Sequence, residues 1–176
     1  MKIINLLFVI AITMMLSCSS GTTIYKQQNN YQINQLSPNS LPIISGAIKW
    51  QDFLEKSKWN ISATENKSAD ILISKSLCNV INNGDYFLQV ITNSFTMLAE
   101  SQVPVIFKIF EIGKLQENKY QLYSADKDNI IFGNGDIFFK AVPTVIIKYK
   151  NKEIGRITEL PKISWEQDIL SILYKN

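Results

Sequence analysis

The chain has 176 residues and a formal net charge of +3, with 46% hydrophobic and 19% charged residues. That balance suits one globular domain and excludes a disordered or fibrous chain. It contains no histidine, which removes serine–histidine–acid and cysteine–histidine nucleophile pairs, histidine metal sites and histidine general bases together. The two cysteines, Cys18 and Cys78, are too few for a structural zinc site or a disulfide framework. Arg156 is the single arginine among eighteen basic residues, and the lysines are scattered, which argues against nucleic acid as a partner.

Met1 to Cys18 is one lysine, an almost unbroken apolar run, a small residue and a cysteine. Residues 1–17 therefore read as an export signal, short of the about 20 apolar residues that a membrane-spanning helix needs. Met15-Leu16-Ser17-Cys18 resembles the lipobox of bacterial lipoproteins. The resemblance implies that the Cys18 thiol takes a diacylglyceryl group and that the new amino terminus is acylated, by palmitate or a similar chain. Such chains would hold the protein to a membrane of the bacterial cell envelope, the outer one where there are two, since Ser19 rather than Asp follows the cysteine. The alternative is a plain signal peptide cut nearby, with Cys18 left as a free thiol. Residues 18–46, rich in Ser, Asn, Gln and Thr, are expected to be a flexible tether. Ile43 and Ile44 equally suit a short strand packed on the domain.

The folded domain is expected over residues 47–176. Ile48, Trp50, Phe53, Leu54 and Trp59 have helical spacing, and a second helix is predicted over Ala69 to Asn83. Ile71, Leu72, Leu77, Cys78 and Ile81 form its apolar side, and Gly84 is expected as a left-handed cap. On that stripe Cys78 reads as a small core residue, with a reactive thiol as the alternative. Tyr86 to Thr92 is aromatic and β-branched, a buried strand. Phe95 to Leu115 predicts a helix kinked at Pro104, and Lys119 to Ala125 the next strand. Asp126, Asp128 and Asp136 suggest calcium, but Ile131 and Ile137 stand where an EF-hand needs glycine and glutamate, so no metal site is expected. After Gly133-Asn134-Gly135 comes a short apolar segment, Ile137 to Phe139, expected to be a brief helix. Thr144 to Tyr149 and Glu153 to Thr158 form a hairpin. Ser164, with Gln167 three residues on, starts a last helix over Trp165 to Tyr174. This order of elements predicts an α/β sandwich: a central mixed sheet with parallel strands and a C-terminal antiparallel hairpin, flanked by helices.

Val142-Pro143-Thr144-Val145-Ile146-Ile147, followed by Lys152-Glu153-Ile154-Gly155-Arg156-Ile157, is similar to the strand and hairpin of the thioredoxin family. The stretch from Gly155 to Leu170 resembles a group of short bacterial thioredoxin-like proteins. The resemblance implies a thioredoxin fold from about Ile48 onward and a cis peptide before Pro143. It also locates the active-site turn: counted back from Val103-Pro104, the family's tryptophan falls on Phe95, and its CxxC cysteines on Thr96 and Ala99. Thioredoxin chemistry needs a thiolate at a helix start and a second thiol to resolve the mixed disulfide. A threonine hydroxyl does neither, so the redox site is absent on this alignment, and Thr96 is expected to cap the helix through its hydroxyl.

What the family resemblance leaves is a peptide-binding groove at Phe95, Met97, Ala141, Val142 and Pro143. The alternative is that Pro143 only shapes the sheet and that Phe95 and Met97 are ordinary apolar groups. The leading functional expectation is a membrane-anchored, redox-inactive thioredoxin-like lipoprotein that binds or positions an extracytoplasmic protein. Its rivals are a one-thiol disulfide oxidoreductase acting through Cys78 and a passive envelope component. No cofactor is implied, because Gly133-Asn134-Gly135 lacks the spacing and following lysine of a phosphate loop.

Overall fold

A computed structural model of the chain describes residues 24–28, 30–37, 39–63 and 69–175. The expected export signal and Cys18 lie outside the described residues. The elements in chain order are β1 (Ile24–Gln28), β2 (Tyr31–Gln35), β3 (Ile43–Ile48), α1 (Trp50–Ser57), α2 (Ile71–Asn83), β4 (Tyr86–Thr92), α3 (Met97–Gly113), β5 (Tyr120–Ser124), β6 (Thr144–Tyr149), β7 (Lys152–Thr158) and α4 (Trp165–Leu173). The strands form one seven-stranded sheet in the order β1-β2-β3-β5-β4-β6-β7. Only β4 and β5 run parallel; every other neighbouring pair is antiparallel.

β1 and β2 correct the expected tether, because residues assigned to it belong to the sheet, while Ile43 and Ile44 begin β3, as the strand alternative had it. In β2, Tyr31 and Ile33 face the main core while Gln32 and Asn34 alternate with them, a period-two pattern too short and polar to stand out. Gly46 lets β2 and β3 approach: its φ is +125°, and a Cβ there would lie 2.6 Å from Tyr31 Cα and collide with the Asn30 carbonyl.

Trp50 of α1 stacks on Phe107 of α3 with centroids 4.3 Å apart, and Trp59 meets Phe53 edge-on at 4.8 Å. Asp70 starts α2, its Oδ1 accepting from the N–H groups of Leu72 and Ile73 at 2.9 Å each. Leu77, Cys78 and Ile81 are fully buried, but Ile71 and Leu72 are exposed, Leu72 at 79%, so the apolar stripe begins a turn later than its sequence suggests. Gly84 is not a left-handed cap: its φ is −109°. Glycine is needed there because a Cβ would come within 2.7 Å of the Tyr86 ring. Left-handed caps instead fall on Lys58 and Lys114. Pro104 sits inside α3, which is continuous from Met97 to Gly113.

Lys150 and Asn151 join β6 to β7, both with positive φ (49° and 65°), the conformation of a type I′ turn. Ser164 Oγ accepts from Gln167 N–H at 3.3 Å and caps α4. The brief helix expected between β5 and β6 is not formed; residues 125–143 are turns and bends.

The layers also differ from the expected sandwich. All four helices contribute to one core cluster, with Ile44, Ile48, Leu88, Val90, Leu122, Val145 and Ile147 facing them from the sheet. The alternate strand residues Ile91 and Ile146 form a smaller cluster with Ala125, Ile131 and Phe139, so the second face is roofed by the loop rather than by helices. The antiparallel entry of β3 beside β5 accounts for this. The path from β3 to β4 is then not the crossover between parallel strands that would fix its side of the sheet.

Candidate functional site

The candidate site lies where β4 ends and β6 begins. The pairing of Ile91 with Thr144 brings the turn after β4 and the segment before β6 to the same end of the sheet. Phe95 and Met97 come from the turn and the first residue of α3; Ala141, Val142 and Pro143 come from the loop, with the Val142–Pro143 peptide cis.

Asn93 organises the turn. Its Oδ1 accepts from the N–H groups of Phe95 (3.3 Å) and Thr96 (3.0 Å) and from the Thr96 hydroxyl (2.8 Å). Thr96 does occupy the helix N-cap position, but its hydroxyl donates to Asn93 and caps no backbone N–H, which corrects the expected role. Ser94 is fully buried and ties the turn to the start of β3: its Oγ donates to the Pro42 carbonyl at 2.5 Å and accepts from Ile44 N–H at 3.2 Å. The Ser94 carbonyl accepts from Trp59 Nε1 at 3.1 Å. In the sequence Asn93 and Ser94 read only as the polar end of a strand; an Asn three residues before the helix N-cap Thr96 is the available signal for the first.

The opposite wall is held equally closely. Thr144 Oγ1 donates to the Ala141 carbonyl at 2.7 Å, and the Pro143 carbonyl accepts from Glu159 N–H at 2.7 Å. Among the described residues, neither the N–H nor the C=O of Val142 has a hydrogen-bond partner. Val142, Ala141 and Phe95 are half-buried, Pro143 is buried and Met97 is 86% exposed. Ala99, at the second cysteine position, is fully buried in the main core. The five residues therefore share one end of the sheet. A cleft of about 630 Å³ lies between α1 and α3, lined by Trp50, Phe107, Phe110 and Tyr120 among others. Another of about 370 Å³ lies between β7 and α4, and a third of about 280 Å³ lies near Tyr86 and Lys150. None of the five lines any of them.

Cys78 is elsewhere. It is fully buried where α2 packs on α3, with Sγ 3.9 Å from the Ile109 carbonyl, and burial pushes its thiol up to about 12. Gly113 makes the close approach possible, since a Cβ there would lie 2.8 Å from Cys78 Cβ. Ile109 and Gly113 follow Thr96 by 13 and 17 positions, roughly 20 and 25 Å along α3 at about 1.5 Å per residue. The thiol is thus neither ionised at neutral pH nor near the turn. Asp126 is likewise occupied structurally: its Oδ1 accepts from Asp128 N–H (2.9 Å) and Ile130 N–H (2.8 Å) in a tight turn.

Compared with models of known protein families and with curated proteins, the chain has no match to either.

Proposed function

We propose that this chain is a thioredoxin-like lipoprotein of a bacterial cell envelope, anchored through Cys18, which binds an extracytoplasmic protein at the Phe95–Val142 surface without redox chemistry. The order β5-β4-β6-β7, the parallel pair β4 and β5 with α3 between them in the chain, and α4 after the hairpin support the thioredoxin likeness. The antiparallel β3 and the helices gathered on one face depart from what that likeness implies. Thr96 and Ala99 supply no thiolate, which supports binding over catalysis.

One observation carries the reading: the main-chain donor and acceptor of Val142, open among the described residues, lie at the same end of the sheet as the exposed Met97. An extended segment pairs with such a backbone through its own N–H and C=O, while an exposed apolar side chain covers its residues.

A photo-cross-linking residue at position 97, introduced into the chain in cells, tests this. The expected result is a discrete adduct that disappears with Val142→Asp or Phe95→Asp in an otherwise folded protein. An adduct of unchanged yield in both variants overturns the groove. Separately, Cys18→Ala should move the protein from the membrane to the soluble fraction, and retention in the membrane overturns the anchor.

A further inference from the structure

We propose that the end of the molecule where β2 turns into β3 rests on the lipid bilayer, with Leu36, Leu41 and Ile130 as its apolar contacts. The inference rests on the lipid anchor at Cys18 proposed above and adds the orientation that this anchor imposes on the domain.

The reach of the chain sets the distance. Ile24 opens β1 six positions after Cys18, and six extended residues span about 20 Å at most. Ile24 pairs with Gln35, the residue before Leu36, and Asn34 pairs with Ile43, so the chain enters the sheet beside the β2–β3 turn. A lipid on Cys18 therefore holds this turn close to the headgroups. A tether running on to residue 46 would have let the domain stand clear of them.

The side chains at that end decide what meets the lipid. Leu36 and Leu41, in the turn, are 59% and 54% exposed. Ile130, 56% exposed, is fastened to the same strand, because its carbonyl accepts from Ser45 Oγ at 2.8 Å. Exposed apolar groups gathered from separate segments mark a contact surface. Charge is scarce around them: residues 19–48 carry Lys26 alone, against 19% charged residues in the whole chain, and residues 125–131 carry Asp126, Lys127 and Asp128. Two charges of each sign give no net attraction to anionic lipid, so the contact is apolar and interfacial. Little charged surface has to lose water to form it.

Ser94 joins the candidate site to this end, since its Oγ bonds both the Pro42 carbonyl and Ile44 N–H at the start of β3. A partner bound at the Phe95–Val142 surface then meets the chain at the membrane face.

Quenching of a fluorophore by nitroxide lipids tests the orientation, with the full lipidated chain in phosphatidylcholine vesicles. Cys18 carries lipid and Cys78 is buried, so the NBD fluorophore goes to one introduced cysteine. The exposed positions are Asn39→Cys, in the turn, and Lys152→Cys, at the opposite end of the sheet. A nitroxide near the headgroups should quench the probe at residue 39 about fivefold or more over the probe at residue 152, at low and high salt alike. Leu36→Asp with Leu41→Asp should remove most of that difference while the chain stays in the membrane fraction. Equal quenching of the two probes, no quenching at residue 39, a loss at high salt, or indifference to the leucine substitutions overturns the contact and leaves the anchor standing. Absence of lipid on Cys18 by mass spectrometry overturns anchor and contact together. Dimerisation of the Cys18→Ala chain that disappears with the two leucine substitutions assigns the turn to a second copy, and that also overturns the proposal.

Discussion

A single side-chain oxygen, Asn93 Oδ1, accepts from two backbone N–H groups and one hydroxyl, so Asn93→Ala deprives all three donors at once. Because Asn93 is buried, the expected loss is about 1–3 kcal/mol of unfolding free energy in chemical denaturation. Asn93→Asp keeps the acceptor and puts negative charge at the start of α3, where the helix dipole favours it, so it should stay within about 1 kcal/mol of the original chain. An equal loss in both variants would mean that the oxygen is not what holds the turn. Cys78 gives a second prediction at this scale. Its thiol titrates near 9 when unfolded and at about 12 when folded, so above pH 9 the unfolded chain loses a proton that the folded chain keeps. The stability contributed by the neutral buried thiol is present below pH 9 and declines as the pH rises towards 12. The difference in unfolding free energy between the original chain and Cys78→Ala should shrink over that window, and a constant difference would contradict the burial. Thiol reagents at pH 8 should label Cys78 only after unfolding.

Packing between elements tests the α2–α3 contact through Gly113. Gly113→Ala gains about 1 kcal/mol of helix propensity, but its methyl meets the Ser74 carbonyl and the Cys78 side chain. Overpacking against backbone costs about 1–3 kcal/mol, so a net destabilisation is expected. Adding Cys78→Ala should recover part of it, since the sulfur is removed and the carbonyl stays; additive losses in the double variant would place the strain elsewhere. This contact was half legible in the sequence. Cys78 stood on an apolar stripe with Leu77 and Ile81, whereas the need for glycine at 113 arises from a neighbour 35 positions away. The same division holds for the other elements. β4, α3, the β6–β7 hairpin and α4 were readable because their periodicities, caps and turn residues are local. β2 was not, because its polar residues suit a strand only once a neighbouring strand satisfies their backbone, and β3 was legible only at Ile43 and Ile44, as an alternative to the tether. At the candidate site, the residues of the groove were legible from a likeness in motif, but Asn93 and Ser94 were not, because their roles depend on bonds to atoms in the turn and in β3.

For the whole molecule, the consequence of placing the four described α-helices on one face is that residues 125–143 close the other. That cover has a small apolar cluster beneath it, so its attachment depends heavily on polar pins. Ser45, from the segment expected to be a tether, donates to the Ile130 carbonyl at 2.8 Å and accepts from Phe132 N–H at 2.9 Å. Arg156, the chain's one arginine, donates to the Phe138 carbonyl at 2.8 Å from the other flank of the sheet. The two pins hold the loop from β3 and β7, on either flank of the parallel pair. Ser45→Ala together with Arg156→Gln should therefore raise amide exchange in residues 130–139 by about tenfold or more, as local opening becomes cheaper by about 1.4 kcal/mol or more. Exchange at the buried positions of α2 and α3 should not change, because the helix-side core contains neither residue. If exchange rises equally on both faces, the loop and the helical layer open as one unit, and the second face has no independent cover. A rise confined to residues 130–139 would identify the loop as the part of this domain that opens without unfolding the rest.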